Sequence, residues 1–173
     1  MRRLRKSKKI HEARKHWHEQ SYALTKYAEM TARMDAFTLE IRDDGVSVFY
    51  LPSRATFERI TPHSEPVGLV FTDSSFLVVK MIFEYGFPDD GVTEPRICFL
   101  EYGYHYQRPG DQAFFRYDYH PEVGPPETHP LYHLHATGWK EGAGDLPQVP
   151  RFPVSSVTLD EVLELIRINF FSS

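Results

Sequence analysis

Apolar residues recur along this chain at two different periods, and the change of period separates its ends from its middle. From about Ile10 to Phe37, Trp17, Leu24, Tyr27, Met30, Met34 and Phe37 fall mostly three or four positions apart, with no Pro or Gly in the run. That spacing lines one face of a helix, and Ala13, Ala23, Ala28, Ala32 and Ala36 favour helical backbone. The pattern predicts a helix over 10–37 packed on a sheet, behind a flexible basic leader over 1–9. Near the other end, Leu159, Val162, Leu163, Ile166 and Phe170 again follow helical spacing. Thr158 precedes them and Glu161 stands three residues later, the reciprocal arrangement that satisfies the first N–H groups of a helix. Val157 and Val162 occupy the positions of the apolar staple that accompanies such a start.

The middle of the chain reads as strand. Val46 to Leu51, Val67 to Phe71, Phe76 to Tyr85, Ile97 to Gln107, Phe114 to Tyr119 and Leu131 to Ala136 are rich in β-branched and aromatic residues. Turn signals separate several of them: Asp43-Asp44-Gly45, Asp73-Ser74-Ser75 and Arg108-Pro109-Gly110-Asp111. Extended backbone over Phe37 to Ile41 would make a hairpin around Asp43-Asp44-Gly45, in competition with the end of the helix. A short helical turn is expected near Ala55 to Ile60, and loops at Pro88 to Pro95 and Pro121 to Pro130. Gly138 to Pro153 holds too many Gly and Pro residues for regular structure. The expected fold is a single α+β domain over 10–173, a mainly antiparallel sheet packed against an N-terminal and a C-terminal helix.

Strand alternation sorts the chemistry. Over Ile97 to Gln107, Phe99, Glu101, Gly103, His105 and Gln107 share one face, and Leu100, Tyr102, Tyr104 and Tyr106 the other. Arg116, Asp118 and His120 share a face opposite Phe115, Tyr117 and Tyr119, as His133 and His135 do opposite Tyr132, Leu134 and Ala136. Burying the aromatic faces would gather Glu101, His105, Arg116, Asp118, His120, His133 and His135 on one polar surface, provided no bulge intervenes.

Two chemistries suit those groups. In metal-free phosphodiester cleavage, His133, His135, His120 or His105 would exchange protons and Asp118 would orient an imidazole. Arg116 would then bind the phosphate, and RNA would supply its own 2′-hydroxyl nucleophile. In the alternative, His133, His135 and Asp118 hold a divalent metal for hydrolysis. The first needs no cofactor. The competing structural readings are histidines that bond strand ends and an Arg116–Asp118 ion pair that only steadies the sheet.

Charge and composition narrow the class. Within the first fifteen residues eight Lys/Arg face Glu12 alone, whereas the whole chain has a net charge of −4. This basic end would touch a nucleic-acid backbone or pair with the acidic body. It has the charge of a secretory leader without an apolar stretch behind it, so an intracellular protein is expected. No long apolar run predicts a membrane helix. Cys98, the single cysteine, excludes an intrachain disulfide and a cysteine zinc cluster. The glycines at 138, 142 and 144 match no phosphate-binding loop.

The ordered motifs Tyr104-His105-Tyr106, Phe115-Arg116-Tyr117-Asp118 with His120, His129-Pro130, and His133-x-His135 resemble the TumE-like toxin family of prokaryotic toxin-antitoxin modules. The segment from Pro153 to Ile166, with its Leu-Asp-Glu-Val-Leu-Glu core, resembles that family's end, so the likeness spans roughly Val67 to Ile166. It implies a cytoplasmic toxin whose partner is a helix-turn-helix antitoxin. Arg116, Asp118, His133 and His135 carry over as its first candidates, with His105, His120 and His129 behind them. The basic N-terminal extension and Tyr119-His120 depart from the family pattern and leave room for a non-enzymatic partner-binding or nucleic-acid-binding protein. Homo-oligomers through sheet edges or the N-terminal helix remain open.

Overall fold

α1 (Lys6–Lys26) opens the fold and a short 3-10 turn (Ala28–Met30) ends it. There follow β1 (Thr31–Met34), β2 (Thr38–Ile41), β3 (Val46–Leu51), α2 (Arg54–Arg59), β4 (Leu69–Phe71) and β5 (Phe76–Gly86). Next come β6 (Arg96–Arg108), β7 (Ala113–Tyr119), β8 (Tyr132–Thr137), β9 (Arg151–Pro153) and α3 (Leu159–Ile166). This computed structural model describes residues 4–61, 63–88, 93–110, 113–121, 130–137 and 151–171. His129, most of the loop expected at 121–130 and most of 138–153 lie outside the described residues.

The fold is α+β, with the N-terminal and C-terminal helices flanking a mainly antiparallel sheet. Among the described residues the strands run β1-β4-β5-β6-β7-β8-β9, while β3 pairs with β5 beyond the short β4 and β2 lies outside β3. On one face, Phe49, Leu51, Leu77, Val79, Met81, Phe83, Tyr102, Tyr104 and Tyr106 form a buried core. Trp17 and Leu24 of α1 and Leu159, Val162, Leu163 and Ile166 of α3 close it. The other face carries a smaller cluster, in which Phe57 of α2 packs with Val48, Tyr50, Phe76 and Val78. Removing these apolar surfaces from water on both sides of β5 is the main gain that holds the layers together. The start of α3 forms as its sequence dictates: Thr158 and Glu161 make the capping box.

The structure corrects four local expectations. The helix expected over 10–37 ends at Lys26, because Thr31 to Met34 pair with β4, Thr31 opposite Phe71 and Met34 opposite Leu69. Phe37 still reaches Trp17, with ring centroids 4.3 Å apart, but from the chain just before β2. The basic leader is helical from Lys6 and tied to the acidic body: Lys6 pairs with Asp43, and Lys9 lies 3.0 Å from Glu84. Within the segment judged too rich in Gly and Pro, Arg151–Pro153 forms β9, its backbone opposite His133 to His135 of β8. Finally, Ile82 faces Glu101 but Phe83 faces Phe99, so Leu100 is an extra residue in β6. This bulge turns Phe99 away from Glu101 and onto the helix-covered core, 5.9 Å from Tyr102 between ring centroids.

Cap and core can be separated by measurement. Leu163→Ala, at a fully buried position, is expected to remove about 2–5 kcal/mol of unfolding free energy in urea denaturation. Thr158→Ala should remove about 1 kcal/mol through loss of the cap. Equal losses would contradict the packing of α3 on the sheet.

Candidate metal centre

Register brings the polar residues of three strands together. Gly103 of β6 faces Asp118 of β7, which in turn faces His133 of β8. One pair further along, His105 faces Arg116 and Arg116 faces His135. Because alternate residues share a face, Arg116, Asp118, His133 and His135 form a patch on the side of the sheet away from α1 and α3.

Asp118 is the centre of that patch and is only 3% exposed. A carboxylate so far from water needs compensating charge or hydrogen bonds. Its two oxygens divide the task. Arg116 Nε donates to Oδ1 at 2.8 Å, with His120 Nε2 3.6 Å from the same atom. Oδ2 faces the Nε2 atoms of His135 and His133 at 3.4 and 3.8 Å. Burial by itself would raise the Asp118 carboxyl, but its contacts with His120 and His135 and the Arg116 charge hold it well below the usual carboxylate range. Asp118 is therefore an anion at neutral pH.

His133 is buried, and its Nδ1 lies 2.7 Å from the Pro130 carbonyl oxygen. A carbonyl only accepts, so Nδ1 carries the proton and donates it. In the neutral ring Nε2, 3.8 Å from Asp118 Oδ2, then carries the lone pair. This is the tautomer of a histidine metal ligand, fixed by a backbone acceptor on its far side. One ligand atom from each of Asp118, His133 and His135 lies within 4.8 Å of the other two. Donors about 2.0–2.1 Å from a tetrahedral zinc stand about 3.3 Å apart, so the 3.4 Å contact fits and the 3.8 Å contact must close by a few tenths of an ångström. The two imidazole donors, within 4.8 Å of each other, must draw together by up to about 1.5 Å. Two imidazoles and one carboxylate suit Zn²⁺ or another transition metal better than Mg²⁺.

Gly103 makes the hollow. A Cβ there would stand 2.5 Å from Phe57 Cζ and 2.8 Å from Asp118 Oδ1. The Phe57 ring also lies under the Arg116 guanidinium, 4.8 Å from its carbon, and so backs the arginine from α2. Behind His120, Nδ1 reaches Glu101 at 2.7 Å, and Lys80 of β5 pairs with Glu101. Burial opposes charge on His120, but its contacts with Asp118 and Glu101 outweigh that and push it up to about 9. Lys80, Arg116 and protonated His120 thus outnumber the carboxylates Glu101 and Asp118.

The patch contains Glu101, Arg116, Asp118, His120, His133 and His135 as alternation predicts. His105 lies beside it and outside the triad, its Nε2 3.0 Å from Gln107 Oε1. Burial pushes His105 down to about 4, the Gln107 contact opposing it. Of the two roles expected for His133 and His135, proton exchange and metal binding, the geometry suits metal binding better. Both address one carboxylate oxygen and their rings stand 4.8 Å apart, an arrangement for gathering ligands. Tyr102, Tyr104 and Tyr106 belong to the buried core. Sequence reasoning passed over Lys80, Phe57 and the Pro130 carbonyl. Lys80 had a visible signal, as the lone cation in the apolar run Phe76 to Ile82.

A family model described as Toxin TumE matches residues 31–169. The chain belongs to the TumE toxin family. The match extends further toward the N-terminus than the likeness from Val67, and it begins after α1. Searches of curated proteins and of solved structures returned no significant match.

The hollow at Gly103 is testable. Gly103→Ala should cost about 1–3 kcal/mol of stability by overpacking and shift the imidazole NMR signals of His133 and His135 as Asp118 is displaced. Wild-type stability with unmoved signals would contradict the close approach of Phe57 and Asp118.

Proposed function

We propose that this member of the TumE toxin family is a metal-dependent phosphodiesterase that acts on RNA. The observation that carries the proposal is the convergence of Asp118 Oδ2 with the Nε2 atoms of His133 and His135. These three side chains would hold a divalent cation, which supplies Lewis-acid charge beside a phosphoryl oxygen.

The chain's own groups account for the rest. The Pro130 carbonyl keeps the proton of His133 on Nδ1. Arg116 holds Asp118 through Nε, and the remainder of its guanidinium fork is the natural clamp for a phosphodiester anion. Lys80 and Glu101 brace His120 beside Asp118. The surplus of cations at the patch favours an anionic substrate. RNA is assigned over DNA because its 2′-hydroxyl offers an internal nucleophile: the new 2′-oxygen–phosphorus bond would replace the 5′-oxygen–phosphorus bond, leaving a cyclic phosphate, with the hydroxyl proton passing through solvent to the departing 5′-oxygen. The same family membership supports a helix-turn-helix antitoxin as partner and the cytoplasm as its compartment. Among the described residues no helix is long and apolar enough to cross a membrane.

Protein stripped with EDTA is expected not to cleave single-stranded RNA until Zn²⁺ or Mn²⁺ is restored. Asp118→Asn and His135→Ala should reduce metal-restored cleavage by about 100-fold or more, since even residues behind metal ligands cost about 10–100-fold. Thermal melts of both variants establish that the fold persists. Full cleavage in excess EDTA would overturn the metal assignment, and partner binding without cleavage under any metal would favour the non-enzymatic reading.

A further inference from the structure

A cavity of about 200 Å³ opens beside Asp118, His133 and His135, lined in part by His135 and by Arg116, the partner of Asp118. We infer that this cavity is a subsite for one nucleobase of the RNA whose phosphate lies at Asp118, His133 and His135. This rests on the phosphodiesterase reading above.

Three observations define the occupant. First, size: drug-sized ligands occupy cavities of about 300–1,000 Å³, so this one admits a single ring system rather than a dinucleotide. Second, chemistry: Ile60 and Phe114 supply apolar walls, while Thr61 and Gln107, bonded to each other through carbonyl and amide, add polar but uncharged surface. Arg116 is the one permanent cation of that lining, and it already serves Asp118. A planar, uncharged, hydrogen-bonding group fits such walls better than a second phosphate does. Third, rigidity: Gln107 is fully buried, its Nε2 donates to the Thr61 carbonyl at 3.0 Å, and its Oε1 lies 3.0 Å from His105 Nε2. The Thr61 carbonyl accepts only, which sets the Gln107 amide and leaves His105 Nε2–H to donate to Oε1.

Phe114 is the aromatic surface of the subsite. It stacks on His105 with ring centroids 5.3 Å apart and planes 22° from parallel. His105, held by Gln107, therefore positions Phe114 for stacking on a base without itself entering the triad. Since Arg116 and His135 border both hollows, a base seated here belongs to a nucleotide adjoining the bound phosphate.

The full chain, stripped of metal with EDTA, is titrated with AMP, CMP, GMP, UMP and ribose 5-phosphate by NMR and calorimetry. At least one nucleotide should bind about tenfold tighter than ribose 5-phosphate, the scale of one base–aromatic stack. Phe114→Leu retains apolar bulk and removes the planar face, so it should abolish that preference with the melting transition kept. Equal binding of nucleotides and ribose 5-phosphate, or a preference that survives in Phe114→Leu, overturns the subsite. A parallel Mn²⁺ titration tests the triad alone: base preference without Mn²⁺ binding upholds the subsite while defeating the metal reading.

Discussion

A carboxylate withdrawn from water organises one whole side of this protein. Asp118 sits in the middle of β7, nearly fully buried, where an uncompensated anion would cost several kcal/mol. Everything around it answers that cost. Arg116, two residues away on the same strand, neutralises one oxygen, and His133 and His135 from the adjacent strand surround the other. Gly103 leaves the space, and Phe57 seals it. Replacing such a group by an apolar residue is often neutral or stabilising in other proteins, so a buried ion cluster of this kind is weak evidence of stability.

The second face of the sheet makes this arrangement affordable. Phe83 of β5 and Tyr102, Tyr104 and Tyr106 of β6 are buried under α1 and α3, with partly buried Phe115, Tyr117 and Tyr119 of β7 packed against them, which sets the pleat of each strand and thereby the direction of its polar residues. A one-residue slip of β7 against β8 would turn Asp118 into the aromatic core. The strands that carry the site have continuous register from Tyr102 to Arg108, Phe114 to Tyr119 and Tyr132 to Thr137. The bulge at Leu100 falls just before that stretch, so it redirects Phe99 and leaves Glu101 to His105 in phase.

Much of the site was legible because its elements obey the strand period without interruption. Arg116 and Asp118, and His133 and His135, are each two residues apart, and their antiparallel pairing preserves the shared face. The C-terminal helix was legible for a different reason, since Thr158 and Glu161 satisfy its first turn locally. Phe99 was misplaced because a bulge leaves no mark in residue type. The end of α1 was misplaced because Met30, Met34 and Phe37 continue helical spacing, while the pairing of Thr31 to Met34 with Leu69 to Phe71 comes from far along the chain. β9 depends likewise on a neighbour, β8, and not on its own three residues. The Pro130 carbonyl, a backbone group, has no signature in the sequence, although it sets the tautomer of His133.

The most direct measurement of the central claim is anomalous diffraction from crystals grown with Mn²⁺ or Zn²⁺. The account requires an anomalous peak about 2.0–2.2 Å from Asp118 Oδ2 and from the Nε2 atoms of His133 and His135. A map at saturating metal with no peak among those three atoms, and with the carboxylate still held by Arg116 and the histidines alone, would contradict it.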